Sequence, residues 1–239
     1  MAAQSLPPLP SGPVASIPEA VARMQAIEAA LPPGDGLACF NRMYLIVTQT
    51  VKAQVTQGFF ADPAFMEHLD IVFANLYLGA VDGSCVNPST ACRAWNVLFS
   101  RRSDTSVVPM QFALAGMNAH INHDLALAVV TACRDLGTVP ESGSHEADFN
   151  KVNRLLAALD PQIRQSFESG LILELDQRAA AGLENIAGNF GIDAARETAW
   201  VNAQALWHVR DISFIYKQYL DGMDRTAAFA GRSLLIPLV

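Results

Sequence analysis

Charge is scarce in this sequence: Asp, Glu, Lys and Arg make up 16% of its residues, against about a quarter in an ordinary soluble domain. No stretch carries five like charges in a row, and Arg101-Arg102 is its densest basic spot. With a net charge of −7 and no basic stripe to neutralise phosphates, nucleic-acid binding is not expected. Cysteine is scarce too. Cys39, Cys85, Cys92 and Cys133 form no C-x-x-C pair, and Cys85 and Cys92 fit no common zinc spacing. Buried free thiols in a reducing compartment are the expectation.

Other absences narrow the class further. Period-2 alternation and Asn-Gly or Asp-Gly hairpin turns between β-branched runs are missing, so strands are not expected. No apolar run reaches the ~18–20 residues of a membrane span, and no secretory leader opens the chain. A cytoplasmic, soluble protein is expected. G-x-S-x-G, H-E-x-x-H and paired E-x-x-H motifs are absent, and the glycines of GSG and NFGID follow no strand, which gives dinucleotide and P-loop binding no support. Aspartate-rich prenyl-diphosphate motifs are absent as well. His145 reads as an exposed loop histidine.

What remains is apolar and helical. Hydrophobic residues make up 51% of the chain, a surplus that points to an apolar pocket or to a homo-oligomer interface. Residues 1–16, proline-rich and uncharged, read as a flexible leader, and 17–239 as a single domain. Ser16 with Pro18 caps a first helix. A second runs over about 37–57, and a third from Asp62-Pro63 to about Val81. Asn87-Pro88 starts a fourth, and Pro109 lies in the first turn of the fifth. Later helices fall at about 147–159, 161–188 and 193–221, the last bounded by Gly191 and Gly222. The pattern predicts an all-α, bundle-like domain of about eight helices around a buried central one.

That central helix carries the chemistry. GMNAHINHDL, residues 116–125, sets Asn118, His120, Asn122, His123 and Asp124 into an otherwise apolar helix. Each buried polar group without a partner costs about 1–3 kcal/mol, so all five need partners. His120 and Asp124 share a face at i and i+4. Gly116 and Ala113, small and a turn or two below, leave room beside them for a substrate or a metal. Neighbouring helices offer Asn41, Tyr44 and Thr48 on one face of the second and Asp70 and Tyr77 on the third. Trp200, Gln204, Trp207, His208 and Asp211 follow on the eighth.

GMNAHINHDL, with FNRMYLIVT upstream and DIVFANLYLGA between, resembles a bacterial family of unknown function marked by A-H-I-N-x-D-L. The likeness extends over roughly residues 35–220. It places weight on His120, Asn122 and Asp124, leaves the position of His123 variable, and implies no activity.

Three functions fit these residues. In the first, His120, Asp124, His208 and Asp211, with Asp70 as an alternative ligand, hold zinc or iron. A metal-bound water then hydrolyses a small, partly apolar molecule. In the second, no cofactor is present: Asp124 or Asp211 orients a histidine as general base, and Asn118, Asn122 or Tyr44 steadies a developing oxyanion in a cyclase or isomerase. Asn41, Asp70, Tyr77, Trp95, Gly116, His123, Trp200 and Trp207 then line the pocket. In the third, the polar belt bridges helices and the protein binds a small molecule without acting on it.

Overall fold

The computed structural model describes residues 9–86, 91–168 and 191–238, and among these every regular element is a helix. In chain order they are α1 (Ile17–Ala30), α2 (Gly36–Thr56), α3 (Pro63–Val86), α4 (Arg93–Phe99) and α5 (Pro109–Ala119). A π-helical turn (His120–Asp124) follows, then α6 (Leu125–Asp135), α7 (His145–Glu168), α8 (Ile192–Val209) and α9 (Ser213–Leu234). Counting α5, the π turn and α6 as one continuous rod gives eight helical rods among the described residues, the all-α bundle expected. The helix expected from Asn87 begins at Arg93, with 87–90 outside the described residues. The two helices expected over 147–159 and 161–188 are one through Glu168, and the remainder of that span also lies outside them.

Local signals account for several starts. The Ser16 hydroxyl accepts the Glu19 N–H at 3.3 Å at the head of α1, and the Asp62 carboxylate accepts the Phe65 N–H at 3.0 Å at the head of α3. The helix expected over 193–221 divides at 210–212, and Gly222 lies inside α9 instead of ending a helix. Packing overrides the glycine there: Met223, Ala227, Ala228 and Gly231 form the buried face of α9, which lies against α4 and α5. The leader is also tied down in part. Val14 exchanges two hydrogen bonds with the Asn75 amide, and Arg23 on α1 bonds the carbonyls of Pro10 and Gly12 and the Asp82 carboxylate.

Two apolar clusters make the core. One joins α1, α2, α4, α5, α9 and the second half of α3; the other joins the first half of α3 with α6, α7 and α8, and Phe73 and Met117 pack against both. The central rod passes from the first cluster to the second, and its π turn falls at the seam. There the Leu125 N–H bonds the His120 carbonyl, five residues back, a wide turn of the kind that interrupts α-helices at functional sites. Gly116, one turn earlier, does not leave open space. A Cβ there would lie 2.4 Å from Cγ of Phe40, so the glycine admits the Phe40 ring and not a ligand.

α3 is long and apolar enough over Pro63–Cys85 to cross a membrane by length and composition, with 39% of its most apolar 18 residues buried. Its apolar residues supply both clusters and the cavity described below. Of the cysteines, Cys39 and Cys133 are buried as expected, Cys92 is half-buried and Cys85 is exposed. His145 is buried, not exposed: its ring stacks on Phe65 at 3.7 Å between centroids, and Nδ1 bonds the Val139 carbonyl at 3.0 Å.

Candidate active site

The π turn gathers three polar side chains on one carboxylate. Asp124 Oδ2 lies 3.1 Å from His120 Nδ1 and accepts the Trp95 indole N–H at 2.8 Å; Oδ1 lies 2.7 Å from His123 Nδ1. Burial alone would raise the Asp124 carboxyl, but the hydrogen bonds from the two histidines carry it below the ordinary range. The same bonds act unequally on the rings. Burial lowers His120 despite Asp124, and the ring is neutral near pH 7. Burial also opposes the charge on His123, yet the bond to Asp124 and the nearby Cys92 thiol lift it to about 10. The result is an ion pair between a half-buried His123 and the buried Asp124, beside a neutral His120.

With Nδ1–H given to Asp124, the lone pair of His120 sits on Nε2, and that atom is buried without a partner. The ring is held flat on Phe73, centroids 3.5 Å apart, and edge-on to Tyr44 at 4.4 Å. It borders a cavity of about 170 Å³ at the seam of the two clusters, walled almost wholly by aliphatic and aromatic side chains. Three polar groups besides His120 reach that cavity: Tyr44 from α2, Asp70 from α3 and Arg196 from α8. Asp70 Oδ2 is likewise buried and unpartnered, while the buried Tyr44 hydroxyl has only that of Thr48, one turn beyond, as a polar neighbour. Burial pushes the Asp70 carboxyl up to about 7 and the Tyr44 phenol well above its usual range. Unsatisfied buried polar atoms are few in native proteins and cost about 1–3 kcal/mol each. Several at one apolar cavity are groups that the polar atoms of a ligand would satisfy.

The remaining expected site residues have other roles. Asn118 turns away from the cavity, its amide donating to the Ala227 carbonyl on α9 at 2.7 Å, and Asn122 donates to Asn118 at 2.9 Å. Neither steadies an oxyanion at His120; both border a separate polar groove with Asn202 and Tyr219. Asn41 bonds the Met24 carbonyl and accepts the Tyr77 hydroxyl at 3.1 Å, a bridge among α1, α2 and α3. Trp95 anchors Asp124 and walls no part of the cavity. Trp200 packs behind Phe149, centroids 4.8 Å apart, with its indole nitrogen unpartnered, and Trp207 lies under the Arg210 guanidinium.

His208 and Asp211 do not join His120 and Asp124. His208 is exposed and bonds the Gln204 carbonyl of its own helix, and the Asp211 side chain is 84% exposed. The expected four-ligand metal set is therefore not assembled, because α8 turns its other face, that of Arg196, Ala199, Trp200 and Ala203, to the core.

Sequence reasoning missed Phe73, Arg196 and a second cluster. Arg196 was legible as a charge in the buried stripe 196–199–200–203 of α8. Cys92, His123 and Asp224 each place one potential ligand atom within 4.8 Å of the other two. That grouping joins the start of α4, the π turn and α9, and no sequence spacing announces it.

The chain is thus an all-helical bundle enclosing an apolar cavity with an aspartate-held histidine on its wall. It belongs to the family of unknown function DUF5995, whose model matches residues 17–237. No curated protein and no solved structure gives a significant match.

Proposed function

We propose that the protein binds a small, mostly apolar molecule in this cavity and moves a proton on it, as an isomerase or cyclase does. The observation that carries the reading is the free Nε2 of His120: a buried imidazole on the cavity wall whose other nitrogen is fixed by a carboxylate, and whose Nε2 has no partner among the described residues. His120 is the base; when it takes the proton, Asp124 stabilises the imidazolium. Asp70, with a pKa of about 7, is matched to return a proton near neutrality. The Tyr44 hydroxyl, buried at the cavity beside Thr48, steadies oxygen-centred charge. The apolar walls keep bulk water from competing for the proton.

Histidine ¹⁵N NMR tests the assignment. His120 is expected as the Nδ1–H tautomer, with an Nε2 resonance that moves when an apolar ligand displaces a cavity-bound dye. An Nε2–H tautomer, or an unmoved resonance with the ligand bound, overturns it.

A metal-assisted reading is supported by a different observation, the Cys92–His123–Asp224 cluster. A thiolate, an imidazole and a carboxylate form a three-ligand set of the kind that holds zinc with a fourth position for water. Near-stoichiometric zinc in protein purified without chelator, lost in a folded Cys92→Ser/His123→Gln variant, is the expected result for that reading. No uptake from excess zinc rejects it.

A further inference from the structure

Arg196 is the unexplained charge of the cavity. It is 5% exposed, and among the described residues its guanidinium is met only by neutral acceptors: Nε donates to Asn153 Oδ1 at 2.6 Å and Nη2 to the Phe149 carbonyl at 2.9 Å. The group lies 4.3 Å from the centroid of the Phe149 ring. Among the described residues no carboxylate bonds to it. Asp193, one turn earlier on α8, is exposed and acts on it only at a distance. Asp70 borders the same cavity, yet burial is the sole cause of its raised pKa, so the two are not a pair. A buried arginine ordinarily has an anion, because its desolvation goes uncompensated otherwise.

We infer that the cavity takes an apolar carboxylic acid as its anion, with the carboxylate seated on the guanidinium of Arg196. This rests on the reading of the cavity as a ligand site and names the class of ligand. The donors Arg196 has left, Nη1 and the second hydrogen of Nη2, form the fork that a carboxylate meets with two parallel bonds. Arg196 is the only Lys or Arg among the described residues lining the cavity. One cation suits a singly charged carboxylate and leaves a phosphate under-neutralised. The body of the ligand is set by the walls: Met43, Val47, Leu69, Met110, Leu114 and Leu156 are unbranched or aliphatic. The 170 Å³ volume suits a group somewhat larger than a benzene ring. Asp70, neutral over much of the pH range below 7, does not repel such an anion.

Calorimetry with octanoate and 1-octanol, which share a chain and differ in charge, tests the inference on the full-length protein. Wild type is expected to bind octanoate at least ten-fold more tightly than 1-octanol. Arg196→Met is expected to lose that preference while still binding 1-octanol, and Arg196→Lys to keep part of it. A merely structural arginine would give another pattern: a lower urea midpoint in Arg196→Met with the octanoate preference intact. That pattern, equal binding of the two probes by wild type, or binding of neither, overturns the inference. The acid–base reading fails separately, on the His120 resonances.

Discussion

Asp70→Asn is expected to stabilise the protein at pH 8 by about 4 kcal/mol and to leave it nearly unchanged at pH 4. The carboxyl is buried against the cavity with Oδ2 unpartnered, and burial pushes its pKa from an ordinary 3.8 up to about 7. The folded protein therefore holds a proton on Asp70 between pH 4 and 7 that the unfolded chain has released. Stability from this group is fully present below the unfolded pKa and falls as pH rises to the folded value, above which the slope vanishes. Asparagine resembles the protonated acid in size and neutrality and has no such slope. Urea titrations of both proteins from pH 4 to 8, compared by difference, isolate the effect from every other titrating group. Parallel curves would mean that Asp70 ionises normally inside the cavity, and would remove it as the acid of the proposed proton transfer. A diverging pair would give the protein a carboxyl half-protonated at neutrality, on the same cavity as a histidine base, as acid–base chemistry requires.

How much of this was legible in the sequence depends on whether a residue's role is set within one helix or between helices. The all-α class, the starts of α1 and α3 and the central position of the 116–125 segment follow from capping residues and from an apolar surface on every side, both local properties. The His120–Asp124 pair is local as well, one turn apart on one helix. The partners of Asn118 and Asn41 are not: each bonds a backbone carbonyl on another helix, and polarity alone does not distinguish a bridge from a site. Small size at Gly116 suggested access, but the space is taken by Phe40, a residue 76 positions away. His208 and Asp211 matched the His/carboxylate spacing sought, and failed because the same helix presents Arg196 and Trp200 inward instead. A spacing shows which residues share a face; it does not show which face the bundle buries.

Asp124→Ala is expected to cost about 3–5 kcal/mol, and His120→Phe less than about 1 kcal/mol, although the two side chains touch. The asymmetry follows from what each removal strands. Without the carboxylate, the Trp95 indole N–H, the His120 Nδ1–H and a charged, half-buried His123 all lose an acceptor inside the protein, and His123 loses its nearest anion. Without the imidazole, Asp124 keeps Trp95 and His123, an unpartnered Nε2 disappears, and a phenyl ring can stack on Phe73 where the imidazole did. Urea midpoints at pH 7 measure both. Equal costs would make His120 a structural member of the belt and would sink the acid–base reading, whatever the cavity binds. A large cost for Asp124 alone separates the two roles. The carboxylate is then the anchor that the fold needs, and His120 is the group whose presence stability does not explain. Its free nitrogen, at the seam where the two halves of the core leave a space, is where a reaction has to be sought.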